Sequence, residues 1–267
     1  MTEIPSKVHF VLVHGIGGGG WCWYKVRTLL ENSGYKVSCV DLKGAGIDRS
    51  DAKDIHTFDE YNQPLIDLIS SLPDDEKVIL VGCSAGGLNV TDATYKFGKK
   101  ISLAIYLGAT MLKAGFQTEQ DFKEGVPNLK EHGEVYDHGF GLGEDQPATS
   151  ALMKKEFRGQ LIYHLTPPED VTLGGMLLRE GPHKAIVSAK FEGGNDVDEV
   201  PRVYIKMTHD LVLKLEQQEA MVARFRRGVE GVWEIRRSIH GIIVLARSWS
   251  RRWFCHIYLF RRSIFME

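Results

Sequence analysis

The chain has 267 residues, 43% of them apolar, and its 33 Lys and Arg against 35 Asp and Glu leave a net charge of −2. That balance is ordinary for a soluble globular protein and argues against a nucleic-acid or membrane partner; no apolar run is long enough to span a bilayer. The length suffices for one large α/β domain or two small ones. Residues 1–10 show no apolar leader, and Cys22, Cys39, Cys83 and Cys255 follow neither metal nor disulfide spacing, so a cytoplasmic protein with reduced thiols is expected.

Residues 8–13 form an apolar run that reads as a strand and ends in His14-Gly15, with further glycines at 17–20. Residues 23–33 have helical periodicity and stop at Gly34, a suitable C-cap. A second strand over 35–40 ends at Asp41, and a helix follows over 59–72. The run 77–81 reads as a buried strand that feeds Gly82-Cys83-Ser84-Ala85-Gly86, after which Gly87 can begin a helix. Further strands are read over 101–107, 203–207 and 231–235, with a helix from Leu211 onward. Strands alternating with helices predict an α/β fold with a mostly parallel sheet flanked by helices. Residues 111–190 break the alternation, being polar and rich in Gly, Pro and Glu, with amphipathic pieces over 150–165 and 171–178. They read as a cap inserted above the carboxyl ends of the strands, where water exclusion and substrate shape are set. One domain over 1–267 is expected. Its segment 224–267 stands apart, with ten arginines, no lysine and no aspartate.

G-x-S-x-G between a strand and a helix is the pattern of a nucleophile elbow. Serine is held there in a tight turn, and residues without a Cβ two places before and after it give the turn room. Ser84 is therefore the candidate nucleophile, against the bland reading of an incidental serine in a Gly-rich turn. Its hydroxyl needs a histidine to take the proton and a carboxylate to orient that histidine, in the chain order Ser, acid, His. Asp210, a few residues beyond the 203–207 strand, is the candidate acid; the alternative is a turn or N-cap aspartate. His240 has the right order for the base, the alternative being a chance histidine in the unusual segment 224–267. Two backbone donors are needed for the developing oxyanion, and the Ala85 and Ile16 amides are the candidates. Trp21 and Trp23 could pack the pocket wall.

The glycines at 15–20 also satisfy G-x-G-x-x-G between a strand and a helix, with Asp41 suitably placed for a ribose, which is the pattern of a nicotinamide-dependent oxidoreductase. The serine elbow after a later strand weighs against it, as does the bulk of Trp21-Cys22-Trp23 where a pyrophosphate would meet the helix.

Taken together, residues 9–15, 20–25, 41–48 and 82–87, extended by Tyr61-Asn62-Gln63-Pro64-Leu65 and Val203-Tyr204-Ile205-Lys206, resemble the plant methylesterase and hydroxynitrile lyase family of α/β-hydrolases. The resemblance covers about residues 8–222. It implies the α/β-hydrolase fold and hydrolysis of small methyl esters, such as those of auxin, jasmonate or salicylate. It implies Ser84 as nucleophile, Asp210 as acid, Ile16 and Ala85 as oxyanion amides, no cofactor and no metal. The partner would be a small-molecule ester, with self-association into a homodimer left open. Cys83 stands where the family usually has His. Gly15 and Gly241 replace the Thr and Lys of the lyases, which points away from cyanohydrin cleavage. The family's C-terminal Asp-His stretch is missing, and Ser238-Ile239-His240-Gly241 stands in for it. A ligand-binding protein without turnover is the alternative of another class.

Overall fold

In a computed structural model, residues 8–192, 200–225 and 229–235 are described. Six strands form one parallel sheet: β1 (His9–Val13), β2 (Lys36–Val40), β3 (Val78–Cys83), β4 (Ile101–Leu107), β7 (Arg202–Met207) and β8 (Val229–Ile235), in the order β2-β1-β3-β4-β7-β8. Every residue of β1 and β3 is buried, as central parallel strands covered on both faces must be. Side chains alternate across the pleat, so Val11, Val13, Val78 and Leu80 enter one core while Phe10, Leu12, Ile79 and Val81 enter the other. The first core is closed by Leu65 and Ile69 of α2 (Phe58–Ser70) and Val90 of α3 (Gly86–Phe97); the second by Val26 and Leu30 of α1 (Tyr24–Asn32). Each such fully buried aliphatic side chain contributes roughly 1.5–3 kcal/mol.

The predicted strands and the first two helices fall where the sequence places them. One local expectation changes, and one stretch gains detail. The helix after Asp210 is α8 (Leu215–Arg224), which begins later than Leu211 because residues 208–214 form a loop organised by Asp210 itself. The amphipathic stretch 150–165 is built of short pieces. It starts as β6 (Ser150–Met153), antiparallel to β5 (Tyr136–Gly139), and continues through the short α5 (Lys155–Phe157) into a wide turn closed by Tyr163 N–H to the Arg158 carbonyl at 2.8 Å. Before the hairpin lies α4 (Glu119–Gly125), and after it come α6 (Pro168–Leu177) and α7 (His183–Val187).

This segment between β4 and β7 has a small core of its own, with Leu129, Met153, Leu161 and Ile162 packed on Val212 of the loop after β7. Two polar clasps tie it to the sheet domain. Asp170, buried at the start of α6, accepts Tyr24 Oη–H at 2.6 Å and pairs with Lys25. Arg179 donates to the carbonyls of Gly46 and Ser50, each at 3.2 Å, and to that of Asp48, while its own amide donates to the Gly17 carbonyl at 2.9 Å. Among the described residues no helix is long and apolar enough to cross a membrane.

Candidate active site

Ser84 follows β3 directly, with φ +52°, the one positive φ outside glycine among the described residues. A non-glycine side chain in the left-handed region costs roughly 1–2 kcal/mol, so surrounding structure must enforce the turn. It does so by packing: a Cβ on Gly82 would stand 2.6 Å from the Gly86 carbonyl oxygen, and one on Gly86 would stand 2.5 Å from that of His14. The Ser84 carbonyl accepts the Gly87 and Thr110 amides at 3.1 and 2.9 Å, so the loop after β4 clamps the elbow from the side. Tyr204 of β7 holds that loop in turn, its hydroxyl donating to the Ala109 carbonyl at 2.8 Å.

The loop after β1 lies against the serine. His14 is fully buried, and its Nε2 accepts the Leu42 amide at 3.1 Å, which requires that nitrogen to be unprotonated. The proton then sits on Nδ1, which donates to the Gly15 carbonyl at 2.7 Å. Burial holds the His14 pKa below its ordinary value, consistent with this neutral form. The Gly18 amide also donates to the Gly15 carbonyl, at 3.1 Å. With that carbonyl turned toward His14 and Gly18, the trans peptide points the Ile16 N–H the other way. Among the described residues neither the Ile16 amide nor the Ala85 amide is engaged by a backbone acceptor.

Ile16, Ser84 and Ala85 form the floor of an apolar cavity of about 130 Å³. Its walls and roof come from Leu88 and Thr110 and, in the intervening segment, from Phe116, Tyr136, His138 and His183 among others. Trp21 and Trp23, expected in the pocket wall, do not line it; Trp23 packs with Phe10, Leu12 and Cys83 in the core on the α1 side. Asp41, which the dinucleotide alternative places on a ribose, accepts the Gly20 amide at 2.6 Å through one carboxylate oxygen.

Asp210 is buried in the loop after β7, where its Oδ1 accepts the Val212 and Leu213 amides at 2.8 and 3.1 Å. The turn reading of this residue is thus correct as far as it goes, and it leaves the second carboxylate oxygen outside those two bonds. The fold also brings the carboxylate near the elbow. Burial pushes the Cys83 thiol up to about 12, and the Asp210 charge adds to the rise. His240 lies outside the described residues.

Two glutamines that the sequence did not single out organise this side. Gln218, fully buried on α8, accepts the Met207 amide at 2.9 Å and donates to the Met207 and Leu213 carbonyls at 3.1 and 2.7 Å, bracketing the Asp210 loop. Gln217 donates to the carbonyls of Lys123, Glu124 and Val126, fixing the end of α4 where Gly125 and Val126 line the cavity. Polar residues on an amphipathic helix read as surface in a sequence, and only their burial reveals the role.

The chain matches the model of the alpha/beta hydrolase family over residues 10–245. It is 52% identical over 227 residues to Methylesterase 17 of Arabidopsis thaliana, covering 83% of this chain and 82% of the relative. It is 42% identical to a pheophorbidase of Raphanus sativus over 221 residues, covering 82% and 83% of the two chains. The solved structure of the methylesterase protein MES16 from Arabidopsis superposes with a TM-score of 0.81 at 36% identity, covering 97% of this chain and all of that one.

Proposed function

Because the chain belongs to the alpha/beta-hydrolase family, in its plant methylesterase branch, we propose that it is a serine carboxylesterase that hydrolyses small methyl esters. The observation that carries the reading is the strained Ser84 at φ +52°, set on the floor of an apolar cavity beside the Ile16 and Ala85 amides. Ser84 Oγ attacks the ester carbonyl while His240 takes its proton and Asp210 orients that histidine. The Ile16 and Ala85 amides stabilise the oxyanion, a contribution worth roughly 10²–10³ in rate per donor. The histidine returns its proton to the departing methoxide, giving methanol and an acyl-enzyme. Water, activated by the same histidine, then releases the acid. Residues 111–190 act as the cap that excludes bulk water from these steps.

The cavity size supports a small acid portion. At about 130 Å³ it is close to the ~150 Å³ cavity that holds a benzene ring. Methyl esters of auxin, jasmonate and salicylate are the first substrates to test.

The test is hydrolysis of these esters and an aryl acetate by wild type, Ser84→Ala, Asp210→Asn and His240→Ala. The reading requires turnover by wild type, its near-abolition in Ser84→Ala and His240→Ala, and a drop of roughly 10⁴ in Asp210→Asn. Ligand binding by wild type without turnover would overturn it in favour of a non-catalytic ligand-binding homologue. Loss in Ser84→Ala but not in His240→Ala would assign the base to another residue.

A further inference from the structure

The floor of the cavity is built from the sheet domain, whereas its roof carries the polar side chains His138 and His183, contributed by two different elements of the cap. Strand pairing brings them together. His138 on β5 pairs with Ala151 on β6, Ala151 bridges to Gly181 on its other side, and His183 follows two residues later with its amide on the Gly181 carbonyl at 2.8 Å. Ala151 lines the cavity between them. Burial holds the His183 pKa below its ordinary value, and the charge of His138 adds to the lowering.

Alternation along β6 sends Ser150 to the opposite face from Ala151. The Glu180 carboxylate goes with it, accepting Ser150 Oγ–H at 2.8 Å on the far side of the hairpin. On the cavity side, Tyr136 packs beside His138 with ring centroids 6.3 Å apart. Both histidines keep much of their surface in solvent while lining the cavity.

We infer that His138 and His183 form a subsite for a carboxylate at the end of the acid portion away from the ester, so that half-esters of dicarboxylic acids are the favoured substrate class. This rests on the esterase reading above for the position of the ester at Ser84. The imidazoles themselves do no chemistry on the reacting bond; they donate N–H groups to the distal oxygens and select for it.

The experiment compares monomethyl adipate with methyl hexanoate, which has the same chain length but ends in a methyl group. Each is assayed with wild type, His138→Phe, His183→Leu and the donor-retaining pair His138→Gln and His183→Asn. Wild type is expected to favour the half-ester in kcat/KM. Loss of either donor should raise its KM roughly tenfold or more, the size of one hydrogen bond to a charged group, a loss well beyond any change on methyl hexanoate. The amide variants should recover part of the loss. Equal turnover of both esters by wild type, or equal losses on both in the variants, would overturn the inference. Calorimetric binding of adipate and of hexanoate to Ser84→Ala keeps the two readings apart. Tighter adipate binding that depends on His138 and His183 would sustain the subsite even if no ester were hydrolysed, and equal binding of the two acids would sink it even if both esters were.

Discussion

Gly15 lies so close to Ser84 that a Cβ on the glycine would stand 2.7 Å from the serine Cβ and 3.3 Å from its Oγ. The Gly15–Ile16 peptide is held at that distance by His14 and Gly18 on its carbonyl, so the contact sets where the Ile16 amide stands relative to Ser84, the proposed nucleophile.

Gly15→Ala is therefore expected to push the loop or the serine out of place. Catalysis should fall about a hundredfold, the cost of one misplaced oxyanion donor, with KM for methyl esters changing far less. Steady-state kinetics with a circular-dichroism melt separates this from unfolding. Unchanged kcat would mean that the loop yields freely and that Ile16 is not a donor.

Ser84→Gly should remove activity and raise the melting temperature. Relief of the positive φ is worth roughly 1–2 kcal/mol, and the greater freedom of glycine in the unfolded chain takes back about 0.4–1 kcal/mol. A net gain near 1 kcal/mol corresponds to about 2–4 °C. Ser84→Ala keeps the strained backbone and should show no such gain, so calorimetry of the two variants side by side decides whether the elbow stores strain.

His14 couples stability to pH. Its folded pKa lies below the unfolded value, so at acidic pH the unfolded chain binds a proton that the folded one refuses. The stability it contributes is present above about pH 6.5 and is lost as pH falls through the depressed folded value. The limiting slope for one such proton is about 1.4 kcal/mol per pH unit. Denaturant titrations between pH 7 and 5 should show a steeper fall for wild type than for His14→Gln. Parallel profiles would show that His14 titrates equally in both states.

The Arg179 guanidinium holds the carbonyls of Gly46, Asp48 and Ser50, and its backbone holds Gly17, next to Ile16. Arg179→Ala should cost about 1–3 kcal/mol and loosen the segment between β4 and β7, speeding limited proteolysis within 111–190 and raising KM for esters. Unchanged cleavage rates would assign the anchoring to Asp170 and its partners Tyr24 and Lys25 instead.

The strand pattern and the elbow were legible in the chain because both depend on local order. The mostly apolar runs at 9–13 and 78–83 read as buried parallel strands, and glycine on either side of Ser84 gives room to a turn with φ +52°. What only the tertiary structure decided depends on residues far apart in sequence. Asp41 reads equally well as a ribose ligand or as a partner of the glycine loop, and only the fold shows its bond to the Gly20 amide. Trp23 looked like pocket wall by proximity to the glycine loop, yet helix direction turned it into the core. Gln218 around the Asp210 loop, and His138 and His183 around Ala151, act through contacts whose partners lie on other elements. A helix or strand advertises its own period in the sequence. Which neighbour its polar side chains meet is set by how the elements pack, and no local period encodes that.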